Sequence, residues 1–205
     1  SYAWAKLYRK SFLDSNKIEF GDYRYAEDKI YNYFCYIAGA RYAFIDKKIY
    51  VYRRNEQSVS NTYRKDGDKD WMRIAQDLQD KIDSLNYEKK QYSQDEIENY
   101  ESIVAWTIYF AAFFDGKMEY EYSTGKIRAV INLLKRYASY DLTKKYLKNP
   151  LRYTKKIPAL SYKIMLGGFA FLMKCNMYLL LSLGIKLLVD CHIDERLSDT
   201  GRKED

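Results

Sequence analysis

The stretch that decides the fold is residues 71–85, WMRIAQDLQDKIDSL, where apolar side chains recur at helical spacing. The recurring residues are Trp71, Ile74, Ala75, Leu78, Ile82 and Leu85. This spacing is typical of an amphipathic helix that buries one face. The sequence therefore predicts a helix that needs partner helices to cover its apolar stripe.

The residues that follow predict two such partners. Ser93 and Glu96 have the spacing of a capping box, and apolar residues continue from it as a second, antiparallel helix. Residues 106–114 are apolar on nearly every side, so we expect them to be deeply buried. A third helix is predicted over about 124–137, with its inward face formed by Ile127, Val130, Ile131 and Leu134.

Strand character is confined to the part of the chain before this helical region. Residues 41–45 and 48–53 are short runs rich in β-branched and aromatic side chains, which predict a β hairpin. A helix is predicted over 26–39, with Glu27 and Asp28 at its start and Gly39 as its stop. The predicted fold is mainly α with a small β hairpin, which needs further strands to be stable.

Composition excludes several classes of protein. The chain has 205 residues, 35 Lys and Arg against 28 Asp and Glu, three cysteines and one histidine. An odd number of distant cysteines and a single histidine exclude a disulfide framework, a zinc finger and a multi-histidine metal site. Glycine is scarce, and no phosphate-binding glycine motif occurs.

Positive charge is concentrated in one region. Residues 126–163 contain eleven Lys and Arg and one acidic residue, Asp141, directly before the apolar stretch 157–189. Lys163, Lys174 and Lys186 interrupt that stretch, so it predicts a helix lying on an anionic membrane surface better than one crossing a bilayer. Burial of the stretch against the helices of 71–137 is the alternative.

Four motifs in order suggest a family. They are AWAKLYRKSFL at 3–13, IEF at 18–20, Glu27-Asp28, and YVYRR at 50–54 followed by Ser58 and Ser60. Together they resemble the C-terminal third of the catalytic domain of family 2 glycosyltransferases. The resemblance implies the C-terminal portion of a GT-A α/β domain, followed by a helical extension.

The resemblance also implies residue roles. Asp28, beside Glu27, corresponds to the general base that takes a proton from the acceptor hydroxyl. The donor's diphosphate would be bound by Arg53, Arg54, Ser58 and Ser60, and the acceptor by Trp4 and Lys6. The residues alone leave alternatives open. In these, Glu27 and Asp28 are simply acidic residues that stabilise a helix start. The polar residues after the second strand would then form a solvated loop, and Trp4 would be a core residue.

The family's donor-binding half does not occur in this sequence. That half holds Mg²⁺ or Mn²⁺ through a D-x-D motif, so we expect the metal ligands to lie outside this chain and the chain alone to be inactive. Asp66-Gly67-Asp68 has D-x-D spelling but follows the last predicted strand, and His192 is interpreted as a helix-end histidine. The chain, beginning at Ser1, is interpreted as the interior of a longer protein.

These inferences divide the chain into four parts. Residues 1–63 are assigned to the acceptor side of the GT-A domain, 64–140 to a helical extension, 141–197 to basic and amphipathic membrane-associating helices, and 198–205 to a disordered tail. The predicted function is transfer of a sugar from a nucleotide-sugar to a cell-surface glycan, at the inner face of the cell membrane. The alternative is a non-enzymatic basic helical module that binds a membrane surface or nucleic acid, although no nucleic acid partner is expected.

Overall fold

The computed structural model describes residues 3, 5–24, 26–47, 49–51, 63–87 and 92–191. These residues form nine α-helices and no β-strand, which confirms the mainly α class. The helices are α1 (Lys10–Ser15), α2 (Glu27–Ile37), α3 (Gly67–Tyr87), α4 (Gln94–Tyr122), α5 (Lys126–Ser139), α6 (Asp141–Leu147), α7 (Pro150–Thr154), α8 (Leu160–Lys174) and α9 (Tyr178–Asp190).

The predicted β hairpin is wrong for the residues that the structure describes. Residues 41–47 and 49–51 belong to no strand, and their side chains are exposed; Phe44 is 93% and Val51 92% exposed. Strands are stable only when a neighbouring backbone takes up their hydrogen bonds, and the described part of the chain offers no sheet edge. The GT-A sheet therefore has no counterpart in these residues.

The predicted helix at 26–39 is confirmed as α2. It begins at Glu27 and ends at Ile37, and Gly39 follows with a φ of +83°, a left-handed conformation that ends the helix. Ile30 and Ile37 are buried in the main core, because α2 packs against α3.

The predicted apolar stripe of α3 is also confirmed. All six of its apolar residues are buried in the main core. The helix begins at Gly67, between the two aspartates of the D-x-D spelling. Its partner α4 starts with the predicted capping box, in which the Ser93 side chain accepts from the Glu96 backbone N–H and Glu96 bonds back to the Ser93 N–H.

The 29-residue helix α4 lies at the centre of the molecule. It packs against α3, α5, α7, α8 and α9, and its middle is buried on several sides. The prediction for residues 106–114 holds in part: Ile108, Tyr109, Ala111 and Ala112 are buried, whereas the tryptophan and the three phenylalanines of this run are half-buried.

Acidic residues near the start of α4 form ion pairs with the basic segment, residues 126–163. Glu98 lies 3.4 Å from the Arg152 guanidinium and 3.1 Å from the Lys155 ammonium, and Glu101 lies 3.3 Å from the Lys145 ammonium. These pairs attach α6 and α7 to α4. Part of the positive charge of residues 126–163 is therefore balanced inside the molecule.

The apolar stretch 157–189 forms two helices. The chain turns between α8 and α9 at residues 175–177, where Asn176 has a φ of +57°. α8 packs on α4, α6 and α7, and α9 packs on α4 and α5. One face of each helix is core, and the opposite face is exposed.

Gly116 on α4 lies against Ile185 on α9. A Cβ at this position would lie 2.8 Å from Cδ1 of Ile185, whereas Gly168 on α8 has no atom within 4 Å of its Cβ position. We expect Gly116→Val to lower the free energy of unfolding in urea by about 1–3 kcal/mol. Gly168→Ala should raise it by about 0.5–1 kcal/mol, because alanine favours the helix. Equal stability of Gly116→Val and the wild-type chain would contradict this packing.

Candidate functional site

The predicted catalytic pair lies at the start of α2. Glu27 is exposed and Asp28 half-buried, after Ala26, whose φ of 51° is left-handed. Asp28 accepts a hydrogen bond from the Ala3 backbone N–H at 3.4 Å. Its own backbone carbonyl accepts from the Asn32 side chain.

The segment before α2 is held over this helix by a small apolar cluster. Ile18, Tyr31 and Cys35 are its buried members, and Tyr8 meets Tyr31 edge-on at 5.1 Å between ring centroids. The Tyr8 hydroxyl also donates to Oδ1 of Asn32 at 3.1 Å. These contacts bring the start of the predicted acceptor segment to Asp28, although the Lys6 side chain in that segment is exposed.

Several predicted site residues lie outside the described residues. They are the acceptor residue Trp4, the diphosphate residues Arg53, Arg54, Ser58 and Ser60, and His192. The structure thus describes only the Asp28 side of the predicted site.

The two aspartates of the D-x-D spelling have different partners. Asp66 is exposed and lies 3.4 Å from the Lys69 ammonium. Asp68 is 1% exposed, and its two oxygens accept from Nη2 and Nε of Arg136 at 3.2 and 3.3 Å. The Tyr140 hydroxyl donates to Asp68 at 3.0 Å. Asp68 therefore joins α3 to α5.

A second, half-buried carboxylate lies next to this ion pair. Asp115 on α4 accepts from the Tyr137 hydroxyl at 2.5 Å and from the Trp71 side chain. A Cβ on Gly67 would lie only 3.1 Å from Oδ2 of Asp115, so glycine allows the start of α3 to approach this carboxyl. One turn further along α4, Glu119 accepts from the Tyr63 hydroxyl at 2.9 Å.

Burial dominates the acid–base chemistry of Asp115. It raises the pKa of Asp115 to about 7, although the hydrogen bonds from Tyr137 and Trp71 oppose the rise. The same burial raises the pKa of Tyr137 well above its ordinary value. The donors around these carboxylates come from neighbouring helices, so the arrangement stabilises the packing of α3, α4 and α5. Sequence reasoning missed it; the signal was Asp115 and Glu119, four residues apart after an apolar run.

The exposed apolar surface of α8 and α9 is a further candidate site, called here the outer face. On α8 it contains Leu160, Ile164 and Phe171, which lie within about 40° of one another around the helix. On α9 it contains Leu179, Leu180, Leu183 and Leu187. Leu160 is 67% and Leu187 58% exposed, while the opposite side of each helix is buried.

Basic side chains lie on the same helices as the outer face. Lys163 is in the first turn of α8, and Lys174 in its last turn donates to the Lys148 carbonyl at 2.8 Å. Lys186 on α9 pairs with Asp190. Neither Asp nor Glu occurs between Asp141 and Asp190, so the outer face lies in an acid-free part of the sequence.

Two kinds of site do not occur within the described ranges. No helix there has the length and apolar character needed to cross a bilayer. No group of three His, Cys, Asp or Glu side chains there has an arrangement suited to a metal ion. Comparisons with protein-family models, with curated proteins and with solved structures found no match to this chain.

The raised pKa of Asp115 predicts how stability depends on pH. Between about pH 4 and pH 7 the unfolded chain has lost this proton while the folded chain retains it. The free energy of unfolding should therefore fall as pH rises, by at most about 1.4 kcal/mol per pH unit from this group. Asp115→Asn, which cannot ionise, should remove this fall in urea titrations from pH 5 to pH 8.

The matched control is Asp46→Asn, which changes an exposed carboxyl in a loop. It should leave the pH dependence as in the wild-type chain. If Asp115→Asn changes stability by the same amount at every pH, the buried carboxyl does not titrate in this range.

Proposed function

We propose that this chain binds an anionic membrane surface through its outer face and acts there in the transfer of a sugar from a nucleotide-sugar to a cell-surface glycan. The observation on which the membrane part rests is the outer face itself. Its side chains are leucine, isoleucine and phenylalanine on two adjacent helices, and they remain exposed although the opposite faces are core. Exposed apolar side chains grouped on the outward sides of two packed helices favour an interaction site.

A membrane interface suits both the apolar side chains of the outer face and the lysines on the same helices. Apolar side chains of a helix lying on a bilayer enter the boundary between headgroups and acyl chains, while lysine ammonium groups remain among the headgroups. Lys163 and Lys174 are on the helix that contributes Leu160 and Ile164. Each lysine near an anionic surface contributes about 1 kcal/mol, so the apolar residues supply the larger share of binding.

The ion pairs of α4 favour a membrane over nucleic acid. Nucleic acid binding depends on basic side chains that are free to neutralise phosphates. Lys145, Arg152 and Lys155 are instead paired with Glu98 and Glu101. Apolar leucines would contribute little to contact with a phosphate backbone.

The sugar-transfer part rests on the four motifs and on the position of Asp28. Asp28 is half-buried at the first turn of α2, beside the segment that begins at Ala3. A carboxylate so placed is accessible to an acceptor hydroxyl and can accept its proton. In this proposal the membrane-bound helices hold the acceptor side of the enzyme at the inner face of the cell membrane.

Vesicle sedimentation tests the membrane part. The wild-type chain should sediment with phosphatidylcholine vesicles that contain a quarter phosphatidylglycerol, and weakly with phosphatidylcholine alone. The double variant Ile164→Glu/Leu187→Glu should lose most of this binding, because it places two charges in the apolar part of the interface. High salt should weaken wild-type binding without abolishing it, since only the lysine contribution is screened.

Leu7→Glu is the matched control, because Leu7 is fully exposed but lies outside the outer face. It should sediment like the wild-type chain, and circular dichroism should show equal helix content in all three proteins. Equal recovery in the supernatant with and without anionic vesicles would contradict the membrane proposal. Binding to an RNA or DNA oligonucleotide that salt abolishes would favour the nucleic-acid alternative.

Sugar transfer is tested at Asp28 in the complete protein as the cell makes it. Membranes containing the protein are assayed with labelled UDP-sugars and GDP-sugars. Asp28→Asn keeps a hydrogen-bond acceptor but cannot take a proton, so transfer should fall by about 100-fold or more. The control Asp14→Asn changes an exposed aspartate that pairs with Lys10 and should transfer normally. Normal transfer by Asp28→Asn would refute the general-base role.

A further inference from the structure

A cavity of about 220 Å³ lies between four helices, and neither Asp28 nor any residue of the outer face lines it. Residues of α2, α3, α4 and α8 line it. Its aromatic walls are the rings of Tyr33, Trp71, Trp106 and Phe110. Ligand pockets in proteins are typically apolar and aromatic with a few polar groups, and this cavity has that composition.

The polar atoms of three lining residues bond elsewhere. The Trp106 indole N–H donates to the Tyr153 carbonyl at 2.9 Å, and the Trp71 side chain bonds to Asp115. The Thr107 hydroxyl donates to a backbone carbonyl of its own helix at 2.9 Å. These side chains consequently offer a ligand apolar surface, mainly the faces of aromatic rings.

Lys29 is the cationic side chain that lines the cavity. The Lys29 ammonium lies 5.5 Å from the centroid of the Phe110 ring, and Lys29 forms no ion pair with another described residue. The Tyr33 hydroxyl likewise has no hydrogen-bond partner among the residues described. The cavity thus combines apolar walls with one ammonium and one hydroxyl group.

The volume and the polarity of the cavity limit which ligands can bind in it. A protein cavity of about 150 Å³ holds benzene, so this cavity has room for one such ring with a short substituent. A free sugar does not suit it, because most sugar hydroxyls would lose hydrogen bonds to water and gain none from these walls. An unpaired ammonium group favours an anionic substituent.

We propose that this cavity binds a small aromatic carboxylate, with its ring against the aromatic walls and its carboxylate on Lys29. The ring would bury apolar surface against Trp71 and Trp106, and the carboxylate would form a charge-assisted hydrogen bond with the ammonium. Neither contact involves Asp28 or the outer face. This proposal therefore stands or fails separately from the proposed function.

The probe is 3-phenylpropionate, with 3-phenylpropanamide as its neutral counterpart. Two of the three tryptophans line the cavity, so intrinsic tryptophan fluorescence reports binding directly. We expect saturable binding of the carboxylate with a Kd on the order of 1 mM or below, and about tenfold weaker binding of the amide. No saturable change up to about 10 mM carboxylate would overturn the proposal.

Two variants locate the probe. Lys29→Met keeps the apolar stem and removes the charge, so it should bind the carboxylate about tenfold more weakly and no better than the amide. Its control is Lys135→Met, which removes an exposed charge from α5 and should bind like the wild-type chain. Thr107→Leu adds an apolar side chain at the cavity wall and should abolish binding of both probes.

Each of the following results would contradict the proposed binding site. If Lys29→Met binds the carboxylate like the wild-type chain, the carboxylate does not lie on Lys29. If Thr107→Leu retains full binding, the probe lies elsewhere. Should Thr107→Leu lose its helical circular dichroism, nuclear Overhauser contacts between the probe ring and the indole protons of the wild-type chain replace it, and their absence overturns the proposal.

Discussion

The structure depends on covering α4. This 29-residue helix is apolar on more than one side, and a helix of that kind is stable in water only when other elements cover it. α3 and α5 pack along it most extensively, and α7, α8 and α9 cover further sides. The helices before and after α4 in the chain therefore pack around this one central helix.

Tyrosine allows this core to be both apolar and specific. The ring of Tyr109 is fully buried, and its hydroxyl donates to the Tyr146 carbonyl at 2.9 Å. Tyr146 in turn bonds to Gln79 on α3, and Tyr137 bonds to Asp115. A buried hydroxyl without a partner would be costly, so each of these bonds restricts how two helices can sit together. These three buried tyrosines therefore fix how neighbouring helices pack.

The features proposed for function are side chains that the packing of the helices leaves exposed or half-buried. Acidic residues of α4 take up part of the basic segment, whereas the outer face of α8 and α9 has no cover within the described chain. Between α2 and the main bundle, four aromatic rings enclose a space with one lysine beside it. At Asp28 a carboxyl group remains half-buried at the start of a helix. Each of these features places an exposed or half-buried group on a helix whose other side is packed in the core.

Sequence alone determined the features that are encoded within a few turns of helix. The stripe of α3, the capping box of Ser93 and Glu96, and the start of α2 at Glu27 depend on neighbours three or four residues away, so they could be predicted with their buried faces. The tertiary structure alone decided the rest. Strands over the described residues 41–47 and 49–51 would have needed a partner backbone, which local propensity does not supply. The burial of Asp115 and Asp68 depends on donors from α5 and α3 that are distant in sequence. Periodicity could not tell which side of α8 and α9 faces inward, because both sides are apolar. In the folded chain Ile185 of α9 faces inward beside Gly116 of α4, a residue 69 positions away.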